Sequence, residues 1–152
     1  MGTRGRIGVM HGNVCKSIYC HWDSYLDHNG RILLNHYDSA KANHLVALGD
    51  ISSLDINVEI PEGVEHSYDK AAKGVTVFYG RDRGQEGVGF VTDLSFQSFM
   101  TTVKDSGAEY YYVMKEGEWY AGSVYEADGV VKGGLVRLAE ALAAVDIAKD
   151  EA

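Results

Sequence analysis

The 152-residue sequence has a single proline, Pro61, and it closes a strand-like run as Pro61-Glu62-Gly63. That excludes a rigid proline-rich linker, and 18 glycines point instead to many tight turns. Cysteine is equally scarce, with only Cys15 and Cys20. Their odd separation on a strand sends them to opposite faces, which excludes an intrastrand disulfide. No apolar run approaches the ~20 residues that span a bilayer. Positive charge is the last shortage: 14 Lys and Arg face 22 Asp and Glu, for a net charge of −8. This balance argues against long nucleic acid, which is held mainly by cations neutralising phosphates, and against an anionic membrane. A compact anionic ligand stays open, because a few local arginines overcome a net field. No secretion leader is apparent in residues 1–5, so a reducing cytoplasm is the expected compartment.

What is present suits one domain over residues 1–152. Hydrophobic residues make up 45% and charged residues 24%, and a chain of ~150 residues buries enough surface to need no staples. Residues 6–11 and 14–21 flank Gly12-Asn13, a hairpin signature. Residues 22–30 read as a loop. A helix, or two short ones broken at Asp38-Ser39, follows as far as Gly49. Residues 50–55 suggest a turn or a single helical turn. Ile56, Val58 and Ile60 alternate as in a strand, and residues 75–79 suggest another. Four glycines mark residues 80–89 as a loop. Thr92 or Asp93 is a candidate cap for a helix ending at Lys104, with Leu94, Phe96, Phe99, Met100 and Val103 on its buried side. Residues 110–115 and 118–125 form a second hairpin, and residues 134–149 a terminal amphipathic helix. The expected class is α+β: a largely antiparallel sheet of hairpins with about three helices packed on one face.

Chemistry-bearing residues are densest in residues 19–30. A metal reading would use His21, Asp23, Asp27 and His28, but no second cluster with ligand spacing accompanies them. The structural reading is a polar loop anchored to the core by Trp22 and Tyr25, with His21 and Asp23 bonding the backbone. An aromatic binding wall of Trp22 and Tyr25 lies between these two. Cys20 and His21 are adjacent on a strand and point apart, which removes a nucleophilic dyad. Arg81 and Arg83 flank Asp82, and residues two apart on an extended chain can present both guanidinium forks to one phosphate. Equally, they can pair with Asp82 and Glu86. Arg4 and Arg6 add positive charge before the first strand or are surface residues. Ten tyrosines offer apolar bodies with polar tips. Neither a nucleophile elbow nor a Walker loop is present, and nothing in the residues demands catalysis.

Several segments together resemble a widespread group of small phage proteins. They are Thr3-Arg4 before Ile7-Gly8, Tyr19-Cys20-His21-Trp22-Asp23 with Tyr25, and His28-Asn29-Gly30 with Leu33-Leu34 and His36-Tyr37. Residues 47–54 and Arg81-Asp82-Arg83-Gly84 complete the set, which covers most of the first ninety residues. The group is similar to phage anti-defence sponges of the anti-CBASS type. That resemblance implies a homo-oligomer in the host cytoplasm that sequesters a cyclic-nucleotide signal without cleaving it, with no cofactor or bound metal. The residues expected to hold the nucleotide are Arg4, His21, Trp22, Asp23, Tyr25, Arg81 and Arg83. The alternatives are a metal-dependent phosphodiesterase on the His21, Asp23, Asp27 and His28 set, or an acidic inhibitor of a host protein.

Overall fold

Gly12 turns the chain at φ 62°, a left-handed conformation open to glycine at no steric penalty. On either side, β1 (Gly5–His11) and β2 (Val14–Cys20) pair antiparallel from Gly5 opposite Cys20 to His11 opposite Val14. This is the hairpin expected from Gly12-Asn13. The computed structural model describes residues 2–126, 129–130 and 132–151. Six further strands are β3 (Ile51–Ser53), β4 (Val77–Phe78), β5 (Val91–Asp93), β6 (Tyr110–Lys115), β7 (Glu118–Ser123) and β8 (Val136–Arg137). One sheet runs β4-β3-β2-β1-β6-β7-β8, with β5 also paired to β2. Most pairs are antiparallel, as expected, while β1 with β6 and β2 with β3 run parallel.

Strand alternation divides the core in two. Ile7, Val9, Ile18, Tyr112 and Trp119 face one side. There they meet α1 (Arg31–His36), α2 (Ser39–Ala47) and α4 (Leu138–Glu151) through Leu33, Leu45, Val46, Leu138 and Leu142. Met10, Cys15, Tyr111 and Val113 face the other, under Phe99 and Val103 of α3 (Phe96–Asp105). The class is α+β as expected. The helix expected to end at Lys104 does not join the others on one face: α1, α2 and α4 cover the first face, and α3 covers part of the second.

Five local expectations need correction. Residues 22–30 are a loop only to Tyr25, because Leu26–Gly30 forms a π-helical turn leading directly into α1. Residues 51–53 are a strand rather than a turn. Ile56, Val58 and Ile60 form no strand: Asn57 makes a lone bridge to Val75, and Val58 alone of the three is buried. Arg81 Nη2–H takes the Thr76 carbonyl and Asp82 the Phe78 N–H, so the groups that would carry the bridge on to Glu59 are already used. Thr92 and Asp93 belong to β5, and the cap of α3 is Ser95, whose side chain accepts from Ser98 N–H at 3.0 Å. Leu94, expected inside, is 75% exposed, since the chain leaves β5 there before the helix begins. The break at Asp38 is as expected, with its carboxylate accepting from Lys41 N–H at 2.8 Å. Among the described residues, no helix is long and apolar enough to cross a membrane.

Candidate functional site

Helix α3 covers the second sheet face only over the turn end of β1 and β2 and over β6. The other half of that face carries Arg4, Arg6, Ser17, Tyr19, His21 and Asp50, placed there by the two-residue alternation and the β1–β2 register. Arg6 lies opposite Tyr19. It is 4% exposed, and its guanidinium holds Ser17 through Nε–H to Oγ at 2.9 Å and Nη2–H to the carbonyl at 3.0 Å. Gly8 leaves the room for this, since a Cβ there would lie 2.9 Å from Cys15 Sγ and 3.3 Å from Ser17 Cβ.

Buried arginines normally carry a carboxylate partner, because an unpaired charge in low dielectric is costly. Arg6 has none within 4.0 Å among the described residues. Burial pulls its pKa below the usual value, and the more distant charges of Asp50 and Asp93 only partly restore it. Nη1 donates to no described protein group. Among the described residues the one solvent-sealed side-chain polar atom without a partner is Asp93 Oδ2, so Nη1 keeps a small contact with solvent. Arg6 is thus nearly enclosed, as Ser17 is, and keeps one guanidinium edge without a described protein partner.

Aromatic rings continue from it in both directions. Tyr19 Oη and His21 Nδ1 are hydrogen-bonded at 2.8 Å, and the His21 ring meets the Trp22 indole edge-on at 4.8 Å. Past β2, Asp50 accepts from Tyr19 N–H at 2.8 Å through Oδ1 and takes the Tyr79 N–H on its carbonyl at 3.2 Å. The Tyr79 ring lies 5.8 Å from that of Tyr68, and Arg83 stacks on Tyr68 at 4.8 Å. From β1 to β4 the strip crosses three strand spacings, roughly 14 Å. Arg4 sits at its near end, in a cleft of about 310 Å³ with Gly107, Glu109 and Tyr125. Burial raises the pKa values of Tyr19 and Tyr79, so both phenols stay protonated donors. A larger cavity of about 490 Å³ opens elsewhere, between the α1–α2 junction and the β6–β7 turn. Asp38 and Glu118 line it without any lysine or arginine, which suits an anion poorly.

The expected site residues divide. Arg4, His21 and Trp22 lie on or beside the strip, with Trp22 41% exposed. Tyr25, 40% exposed, packs on His28 at 5.9 Å. Trp22 and Tyr25 are therefore not the core anchors of their loop. Ser24, Leu26 and Asn29 hold it instead, with Asn29 Nδ2 donating to Trp22 O at 3.2 Å and Ser24 Oγ at 3.3 Å. Asp23 is exposed at φ 57° and contributes its carbonyl to Asn29 N–H.

Arg81 and Arg83 do not form a double fork. The segment coils, with Asp82 N–H bonded to Phe78 O and Gly84 N–H to Gly80 O, so the two side chains diverge. Arg81 binds Asp82, Val58 O at 2.5 Å and Thr76 O at 3.0 Å, which is a structural role. His21, Asp23, Asp27 and His28 also separate. Asp27 pairs with Arg31 and Lys149, and His28 with Asn29 Oδ1. No three His, Cys, Asp or Glu among the described residues are grouped to hold a metal ion. Burial pushes Cys15 up to about 12 and Cys20 up to about 11, which leaves both thiols protonated. Sequence reasoning weighed Arg6 only as a charge before the first strand, gave Tyr19 no role within the dense segment, and passed over Asp50, Tyr68 and Tyr79. The alternation of 4 and 6 against 17, 19 and 21 was the available signal.

Compared with protein-family models, curated proteins and solved structures, the chain matches none.

Proposed function

We propose that the chain binds a small nucleotide-class anion on this half-face and sequesters it without cleavage. The observation that carries the reading is Arg6: a buried guanidinium with no carboxylate partner, open along one edge and floored among tyrosines. A phosphate completes its coordination, and hydrogen bonds to a charged group contribute roughly 1.5–3 kcal/mol each. Tyr19, Tyr79 and Trp22 offer stacking surfaces, worth about 1–3 kcal/mol per base. Arg4 and Arg83 give each end of the strip a further cation. Arginines gathered on one face of a chain of net charge −8 set up a local attraction that the whole-molecule field opposes. The resemblance to phage sponges supports the same reading, along with the homo-oligomer and host-cytoplasm expectations that come with it.

Capture and release tests the proposal. The protein is incubated with cyclic di- and trinucleotides and ADP-ribose isomers, freed of excess ligand and denatured, and the released material is chromatographed. An intact nucleotide in fixed ratio to protein is the expected result. A converted nucleotide makes the protein an enzyme. Release of nothing transfers the function to a protein partner.

A further inference from the structure

Asp50 is out of place in an anion site unless it reads something other than phosphate. Its carboxylate sits between Tyr19 and Tyr79, half-buried, with Oδ1 held by the Tyr19 N–H at 2.8 Å. Oδ2 has no described protein partner. It is not among the solvent-sealed orphan atoms, which among the described residues are Asp93 Oδ2 alone, so it keeps contact with solvent. A carboxylate oxygen accepts hydrogen bonds and repels phosphate. Whatever lies over the middle of the strip must therefore bring a neutral donor, while its phosphate goes to Arg6 or Arg83. The pairings of β3 with β2 and β4 put Asp50 between Tyr19 and Tyr79, about one strand spacing from each, within reach of the sugar of a base stacked on either.

We infer that Asp50 selects a ribose-bearing ligand over its deoxyribose counterpart by accepting a hydrogen bond from the 2′-hydroxyl through Oδ2. The inference rests on the nucleotide reading above. The hydroxyl is the feature that distinguishes ribo- from deoxyribonucleotides at any site. A buried acceptor left without its donor penalises the wrong ligand more than an extra contact rewards the right one. Burial raises the pKa of Asp50 although Tyr19 N–H and Arg6 oppose the rise, so its charged form is under-solvated and gains from a donor.

The test compares adenosine 5′-monophosphate with 2′-deoxyadenosine 5′-monophosphate by titration calorimetry, on the natural chain and on Asp50→Asn. Asparagine keeps an oxygen for Tyr19 N–H. The natural chain is expected to prefer the ribonucleotide at least 10-fold, and Asp50→Asn to reduce that preference below 3-fold. In amide spectra of the natural chain at saturation, the Tyr19 N–H resonance should shift further with the ribonucleotide than with the deoxy form. That readout stands even where the variant does not fold. Equal affinity for both nucleotides overturns the inference and leaves the nucleotide reading intact, as does a preference that survives in Asp50→Asn. Binding of neither at millimolar concentration removes both readings.

Discussion

At Arg6 a single side chain serves packing and recognition together. Replacing it with methionine of similar length removes the buried charge and leaves Ser17 Oγ short of a donor. The first change relieves desolvation and the second costs about 1 kcal/mol, so net stability should move by less than ~2 kcal/mol. Nucleotide affinity is expected to fall at least 30-fold, measured by calorimetry beside a thermal melt. Gly122 presents the opposite case, stability without function. A Cβ there would sit 2.1 Å from Gly134 O and 2.4 Å from the Tyr111 ring, and Tyr111 is itself fixed by Oη–H to Gly134 O at 2.6 Å. Gly122→Ala should destabilise by about 3 kcal/mol in urea unfolding, since neither backbone nor buried ring can yield. Cys15 and Cys20, buried with raised pKa values, should resist iodoacetamide at neutral pH until the chain unfolds. Trp22 was legible from its place in an aromatic-rich segment. Arg6 was not, because Gly5 and the short first strand hide which side it faces until β2 is laid beside it.

At the scale of elements, the long irregular stretch from β3 to β5 is held by one polar knot. His66 Nε2–H donates to Asp82 Oδ2 at 2.9 Å, and its Nδ1 accepts from Ala72 N–H at 2.9 Å, which fixes the neutral tautomer. Asp82 also accepts from Phe78 N–H and pairs with Arg81, whose other donors reach Val58 and Thr76. Burial works to raise the Asp82 pKa, but Arg81, Phe78 N–H and His66 together hold it below the ordinary value. A carboxyl depressed on folding stabilises above its unfolded value near 3.9, and that contribution is lost as pH falls further. Amide protection across residues 54–90 is therefore expected to hold at pH 6 and to collapse below about pH 4. Asp82→Asn should cost about 3 kcal/mol by stranding Arg81, with the loss concentrated in the same segment. The hairpins and the Asp38 break were readable because turn dipeptides and caps are local signals. The strands Ile51–Ser53 and Val91–Asp93 were not, since each is three residues long and is defined by its pairing partner. The alternation of Ile56, Val58 and Ile60 misled because Arg81 and Asp82 take the Thr76 carbonyl and Phe78 N–H that would extend the Asn57–Val75 bridge.

At the scale of the whole molecule, an acidic chain places Arg4 and Arg6 on the half of a sheet face that α3 does not reach. Binding should weaken as salt rises, since exposed Arg4 and Arg83 are screened over about 10 Å at 0.1 M. Arg6, nearly enclosed, should retain a salt-resistant share. The α+β class was legible from hairpin spacing and helical periodicity, whereas the parallel pairing of β1 with β6 is a long-range choice with no local mark. The division of the second face between α3 and the aromatic strip follows from that pairing, so the site could be listed in part but not assembled. The most direct measurement is a map of backbone amide and arginine Nε–H shifts on adding millimolar adenosine 5′-monophosphate. Shifts are expected at Arg4, Arg6, Tyr19, His21, Asp50 and Tyr79, with Arg81 unmoved. Shifts confined to residues 80–89, or none at all, would contradict the nucleotide reading.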